Sequence, residues 1–428
     1  MTYGAYPPLL SRQNTGSLVV ELATNRLIGP QSPIPNVLVT IKEISPNGDE
    51  KIFAELMTNE VGQTEPLELI TPPLDYSLDP FNTNQPYSTY RIETKSPEYV
   101  DAIIEGTQVF PDTRSIQPIT LESTRHLARQ FFQEIIIGPA TLFGNFPPKI
   151  PELEIKPILP GTGFITLDSV IVPEFVIVHA GLPTDNTAPN YTVPFTEYIA
   201  NVASSEIYPT WPEETIRANV IAITSFTLNR VFTEWYRNQG KNFTITNSTA
   251  FDHAFFFGRN IFDTIIPIVA DVFTTYVKRP GVTQPLLTQY CDGVQSQCPN
   301  WMTQWGSKDL GDAGYTAEQI LRNFYGDIEL PTAPKVEGIP ESYPGSPLQL
   351  GSSGSNVRKI QEQLNRISQN YPLIPKVATN GEFDQATLEA VKTFQKIFHL
   401  PQDGIVGRNT WYKISQIYVA VTKIGELL

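Results

Sequence analysis

The chain has 428 residues, 40% of them apolar and 17% charged, with a formal net charge of −14. That length predicts two to four domains with substantial cores, and the acidity argues against nucleic acid or an anionic membrane as partner. Its 38 prolines suit a loop-rich, extracytoplasmic type of protein. Yet the opening MTYGAYPPLLSRQNTG shows neither the basic nor the apolar region of a signal peptide, and no apolar run has the length of a membrane span.

Residues 1–121 read as all-β. SLVVELA, NVLVTIKEI and STYRIETK alternate apolar and polar residues between Pro- and Asn/Gly-rich turns. The segment is acidic, with 7 Lys+Arg against 15 Asp+Glu, whereas residues 346–428 hold 9 against 6. The strand pattern resembles the carboxypeptidase-regulatory-like β-sandwich, a passive spacer in most settings. Residues 122–165 are expected to begin as a helix, to about residue 137, and to continue as a linker. Six prolines between positions 139 and 160 forbid a regular element there and invite proteolysis.

The stretch 193–230 is the most informative. Phe195, Ile199 and Val202 at helical spacing predict a short helix over 195–205, which Pro209 stops. Thr210 and Glu213 predict a capping box for a second, longer helix, with Pro212 in its first turn. Glu213 and Glu214 then serve the helix start, while Glu206 has no such duty. Flanked by Ile207, Tyr208 and Trp211, its carboxyl is expected to be desolvated and protonated, as a general acid requires.

Val193, Pro194, Phe195, Glu197, Tyr198, Val202, Ala203, Glu206, Pro209, Trp211, Pro212, Glu214, Ile216, Arg217, Ala218, Ile221 and Ala222 resemble the core of the SpoIID/LytB lytic transglycosylases. The family pattern runs roughly V-P-(F/L)-E-x-Y-(L/V)-x-G-V-V-A-x-E-M-P, then W-P-x-E-A-L-K-A-Q-A-I-A-A-R-T-Y-A. The resemblance places the catalytic acid at Glu206. Sugar contacts are expected from Tyr208, Trp211, Asn247, Ser248, Thr249, Tyr290, Trp305 and Ser307, with Trp301 a further candidate. The family's S-x-G-G-x-T loop is absent, and a Trp-rich segment bounded by Cys291 and Cys298 stands in its place. Many family members carry a His/Cys/Cys zinc site, but here His253 has no cysteine beside it, so no metal and no cofactor is expected. Cys291 and Cys298 could form a disulfide, bind a metal or stay thiols. Asp252 and Asp263 are expected to cap or solvate an interrupted helix over 254–276, and His179 to be a core imidazole.

After a Pro-rich linker at 331–346, residues 347–428 contain two matching halves offset by 23 residues. Asn380-Gly381 corresponds to Asp403-Gly404, Phe383 to Val406, Thr387 to Thr410 and Leu388 to Trp411. Each half reads as a tight turn followed by a Thr-capped helix. This resembles the type 1 peptidoglycan-binding domain, a three-helix module.

The fold expected is multidomain α+β. It comprises an N-terminal β-sandwich (1–121), a linker (122–165), a central mixed α/β SpoIID-like domain (166–330), a linker (331–346) and a C-terminal three-helix module (347–428). The order of parts resembles the clostridial spore cortex-lytic enzymes of the SleC type. That likeness implies a precursor placed in the spore from the mother cell without a classical signal peptide. It also implies cortex peptidoglycan as substrate and a subtilisin-like protease as activator. A non-catalytic wall-anchoring protein and a hydrolytic muramidase are the alternatives.

Overall fold

The computed structural model describes residues 14–25, 30–44, 49–124, 132–157 and 166–422. The N-terminal module holds β1 (Thr15–Thr24), β2 (Leu38–Ile44), β3 (Glu50–Met57), β4 (Leu67–Ile70), β5 (Ser88–Lys95), β6 (Ala102–Val109), β7 (Arg114–Leu121) and β8 (Gln133–Ile136). One sheet has the order β3-β2-β5-β6-β8, and the facing sheet contains β7-β1-β4. Alternation along β1 turns Leu18, Val20 and Leu22 inward against Val39, Ile41, Ile92 and Ile104. Burying each such side chain stabilises by about 1.5–3 kcal/mol.

The expected helix at 122–137 is corrected in part. Residues 125–131 lie outside the described residues, and 133–136 are strand β8, parallel to β6 with Ala102 opposite Gln133. The open edge of β6 supplies the hydrogen-bond partners that a short, isolated QEII helix would lack.

The central domain comprises β9 (Ile171–Val172), β10 (Phe175–His179), β11 (Asn190–Pro194), α1 (Phe195–Glu206), α2 (Glu213–Phe232), β12 (Ile245–Thr246), β13 (Ile261–Phe262), α3 (Ile266–Val272), β14 (Tyr290–Cys291), β15 (Met302–Thr303), α4 (Gln304–Asp312) and α5 (Ala317–Tyr325). Helix α2 is its axle. From Thr215 to Phe232 nearly every residue is buried, and α1, α3, α4 and α5 pack around it; its buried polar side chains bond the chain packed on it, Ser225 to Val277 O, Asn229 to Pro285 O and Arg230 to Asp252. The expected capping box does not form. Pro212 occupies the N-cap position, and Thr210 Oγ1 donates instead to Ser77 Oγ of the sandwich (2.8 Å). The expected helix over 254–276 shrinks to α3, because β13 is drawn onto the edge of β7, with Ile261 opposite Ile116. The linker at 331–346 also carries structure, since β16 (Lys335–Val336) pairs with β9.

The C-terminal module is α6 (Ser355–Ile367), α7 (Gln385–Ile397) and α8 (Arg408–Thr422). Its two turns are built alike. Gly381 and Gly404 have φ of +79° and +72°, where a side chain is strained. Gln361 Oε1 accepts from Gly381 N and Gln395 Oε1 from Gly404 N, both at 2.9 Å, while their amide groups donate to the Thr387 and Thr410 hydroxyls at 3.1 and 3.2 Å. The cap of α7 is Asp384, which accepts from Thr387 N (2.8 Å), so Thr387 sits inside the helix and not at its cap. Gln395→Ala would leave the buried Gly404 N–H unpaired. It is expected to destabilise the module by about 2–3 kcal/mol, read as faster amide exchange through 403–411; a loss under about 0.5 kcal/mol would show the clamp to be dispensable.

The three modules are tied to one another. Tyr412 meets Phe273 edge-on at 5.2 Å, Gln63 Nε2 donates to Ile397 O (2.9 Å), and His399 Nε2 lies 2.5 Å from the Glu21 carboxyl. The C-terminal module thus touches both the central domain and the sandwich.

Candidate active site

Glu206 is the last residue of α1, which ends because Ile207 turns extended (φ −133°, ψ 160°) ahead of Pro209. The residue is 5% exposed. Its Oε1 accepts from Ala254 N (2.8 Å), and its Oε2 lies near Gln304 Nε2 (3.3 Å) and Thr141 Oγ1 (3.4 Å). Thr141 and Gln304 also donate to its main-chain oxygen, at 3.2 and 3.0 Å. Burial raises its pKa above the ordinary carboxylate value, against the opposing pull of Lys149 and of these donors. The group is held as a carboxylic acid further toward neutral pH than a free glutamate.

An aromatic basin lies beside it. The rings of His253 and Tyr290 are parallel (10°) with centroids 5.9 Å apart, and Phe226 lies 4.5 Å from His253. His253 Nδ1 is 3.0 Å from the Tyr198 hydroxyl, while its Nε2 and the Tyr290 hydroxyl have no hydrogen-bond partner among the described residues. Burial drives the His253 pKa well below its ordinary value, so the ring is neutral, and lifts Tyr290 well above, so it stays a phenol. The Tyr290 hydroxyl lies close enough to Glu206 to feel its charge.

The basin is covered by a strap, residues 138–157. Thr141 N donates to Ser205 O (2.9 Å). Farther on, the Lys149 ammonium lies 5.1 Å above the Phe226 ring and 5.0 Å above that of Tyr290, and donates to Asp252 O. Burial lowers the Lys149 pKa, and the Glu206 charge opposes that effect. Glu152 then pairs with the buried Arg230 through both oxygens (3.1 and 2.5 Å), and Glu154 pairs with Arg279 (2.9 and 2.7 Å).

Asp252 anchors the loop that brings Ala254 to Glu206. Fully buried, it does not cap a helix. Its Oδ1 accepts from Arg230 Nε (2.7 Å), and its Oδ2 from the Tyr236 hydroxyl (2.6 Å), Thr246 N (2.9 Å) and Thr246 Oγ1 (2.7 Å). Asp263 likewise bonds the main chain of Arg114 (3.0 Å) and so joins the sandwich.

The sugar-contact candidates divide. Tyr290 flanks Glu206. Tyr208, Trp211 and Trp305 form a buried aromatic cluster with centroids 4.9–6.1 Å apart, and Trp211 Nε1 donates to Ser77 O of the sandwich. Ser307 is buried and accepts from Asn219 (2.8 Å). Asn247, Ser248 and Thr249 are half-buried, and Thr249 Oγ1 lies 3.5 Å from Pro147 O of the strap. Cys291 and Cys298 form a disulfide, which removes them as metal ligands. His179 bonds Asn190 (2.8 Å) and stacks on Phe243 at 4.4 Å. No group of three or more His, Cys, Asp or Glu suited to a metal occurs among the described residues.

Thr141, Lys149, Gln304 and the Asp252–Arg230 pair were not identified from sequence. Lys149 had a signal, as the one cation of the NFPPKIP run; the others had none.

Residues 185–259 match the family model described as Stage II sporulation protein, and residues 353–414 that described as Putative peptidoglycan binding domain. The chain therefore joins a sporulation-type domain to a peptidoglycan-binding one. Two Bacillus licheniformis proteins, a "Probable N-acetylmuramoyl-L-alanine amidase" and "N-acetylmuramoyl-L-alanine amidase CwlL", are 27% identical over 143 and 142 residues, 33% of this chain and 37% of theirs. The chain spans little more than a third of the length of those relatives. Sea bream transthyretin in complex with thyroxine is 14% identical, covering 25% of this chain and 92% of that one, at a TM-score of 0.15. For 3-chlorocatechol 1,2-dioxygenase from Rhodococcus opacus the values are 12%, 27%, 64% and 0.17. Neither likeness is close enough to carry an argument.

Proposed function

We propose that this chain is the precursor of a spore cortex-lytic transglycosylase, with Glu206 as its acid, the C-terminal module as its hold on peptidoglycan, and proteolysis of the strap as its activation. The observation that carries the reading is a desolvated glutamic acid at the end of a sporulation-type helix pair, covered by Pro-rich chain. In the reaction, Glu206 protonates the oxygen leaving the muramic anomeric carbon. The resulting carboxylate takes the proton of the muramic 6-hydroxyl, whose oxygen bonds to that carbon and closes a 1,6-anhydro ring. No water is consumed and the acid is regenerated.

A hydrolase would need a second free carboxylate. The other two that act on Lys149 are engaged, Asp252 by four donors and Glu152 by Arg230 and Lys156. Tyr290 is suited to line the sugar subsite once Lys149 is withdrawn. On this reading the protein resides in the cortex or coat region of the spore, and a subtilisin-like protease cuts between residues 122 and 169.

The test compares the intact chain with one cut in that window on the same cortex sacculi, with products weighed by mass spectrometry. Expected are muropeptide ends lighter by one water, formed at least tenfold faster after cutting. Ends carrying an added water would indicate a muramidase. Intact glycan with freed alanine amino groups would indicate the amidase activity that the names of the Bacillus relatives suggest. Equal rates before and after cutting would reduce the strap to a structural element.

A further inference from the structure

The sandwich grips the central domain along residues 256–263. Gln108 N donates to Asn260 Oδ1 (3.1 Å), Asn260 Nδ2 returns a bond to Gln108 O (2.9 Å), and Gln117 Nε2 donates to Gly258 O (2.7 Å). In the middle sits Arg259, 1% exposed. Its Nη2 donates to Gln108 Oε1 (2.5 Å), while Nε and Nη1 have no partner and no carboxylate pairs with it among the described residues. Burial without a counter-charge pulls its pKa down to about 10.

This is an expensive arrangement for an interface. A buried cation without a carboxylate is destabilising, and an apolar residue of similar volume would avoid the cost. The neighbouring polar groups, Asn260 and Gln117, are bonded without its help. Arg259 also lies on the loop that holds the acid. Ala254 N bonds Glu206, Phe256 N and O bond Asn201 one and a half turns back along α1, and Arg259 follows. Four residues lie between Ala254 and Arg259, so the Arg259 backbone is held within about 18 Å of the residue whose N–H bonds the acid. Once Gln108 is withdrawn from Nη2, its planar fork of N–H donors matches a carboxylate.

We propose that Arg259 is a carboxylate-binding subsite of the opened cleft, which takes the stem-peptide carboxylate of a peptidoglycan strand, and that Gln108 covers it while the sandwich is docked. The inference rests on the functional reading above. Removing the sandwich exchanges an unpaired buried cation for a paired one, so the same residue favours both release of the sandwich and capture of substrate. Strands whose muramic residues carry a peptide with a free carboxylate are then preferred over bare glycan.

The experiment uses Arg259→Met in the full chain and, separately, in the chain cut between residues 122 and 169, the latter with Glu206→Gln to prevent turnover. In the intact chain, Arg259→Met is expected to leave the thermal midpoint unchanged or raise it. A clear drop would show the guanidinium to be a structural bond-maker and overturn the proposal. In the cut chain, a stem-bearing muropeptide is expected to bind about tenfold or more tighter than the same glycan without its stem, and Arg259→Met to bring that ratio to about one. Equal affinities in the parent, or a preference that survives the substitution, would overturn it. Binding is read without chemistry, so a stem preference stands even if the reaction proves not to be a transglycosylation.

Discussion

Glutamine in place of Glu206 is expected to lower formation of anhydromuramyl ends by the cut chain between about 100- and 10,000-fold, the span of general acid–base catalysis. The amide keeps the shape and can still accept from Ala254 N, but it cannot deliver or recover a proton. Fold and binding to sacculi should persist. The intact chain should even gain. Burial raises the folded pKa of Glu206, so between the unfolded value of 4.5 and that raised value the folded state binds more protons than the unfolded one. Stability from this residue is therefore present at low pH and is lost as pH rises through that window. Glu206→Gln removes the loss, and its midpoint should equal the parent's at acid pH and exceed it at pH 8. Activity should follow the protonated fraction and fall on the alkaline side. Retention of activity within a few fold would remove Glu206 from the mechanism, and a lower midpoint at pH 8 would mean that the carboxylate bonds outweigh desolvation.

Asp252→Ala is expected to be the most damaging single change to stability. It strips one of two counter-charges from Arg230, whose side chain is 0% exposed, and also leaves the Tyr236 hydroxyl and the Thr246 N–H without an acceptor. Breaking one side of such a buried pair costs about 3–5 kcal/mol. Glu152 keeps hold of Arg230 from the strap, which places the expected loss at the lower end in the intact chain and the upper end once the strap is cut. Denaturation followed by amide exchange in α2 reads the effect. Because the loop 252–254 carries the N–H that binds Glu206, activity should fall with it. The double change Asp252→Asn with Arg230→Met should recover a substantial part of the stability, since the buried pair goes together and Glu152 keeps Lys156 as its partner. A loss below about 1 kcal/mol in Asp252→Ala would show that solvent reaches Arg230 and compensates it.

Much of the scaffold could be read along the chain because its causes are local. Alternation in SLVVELA and STYRIETK set β1 and β5, the spacing of Phe195, Ile199 and Val202 set α1, and two Gly turns set the C-terminal pair of half-repeats at an offset of 23 residues. Glu206 could be singled out for the same reason, being the one acid of its stretch with no helix end to serve. Errors came where a distant partner outbid a local preference. Thr210 left its capping box for Ser77, QEII joined the edge of β6, and Ile261–Phe262 left a helical pattern for β7.

What covers Glu206 was decided by tertiary structure alone. Thr141 reaches it across 65 residues of chain, Gln304 across 98 and the Ala254 N–H across 48. The same holds for the disulfide, one of three fates open to two nearby cysteines, and for the idle donors of Arg259, visible only once Gln108 is known to lie on top. Periodicity, turn chemistry and capping act over a few residues and leave a mark in the sequence. Desolvation and charge pairing depend on which surfaces the folded chain brings together, and a carboxyl or guanidinium acquires its chemistry only there.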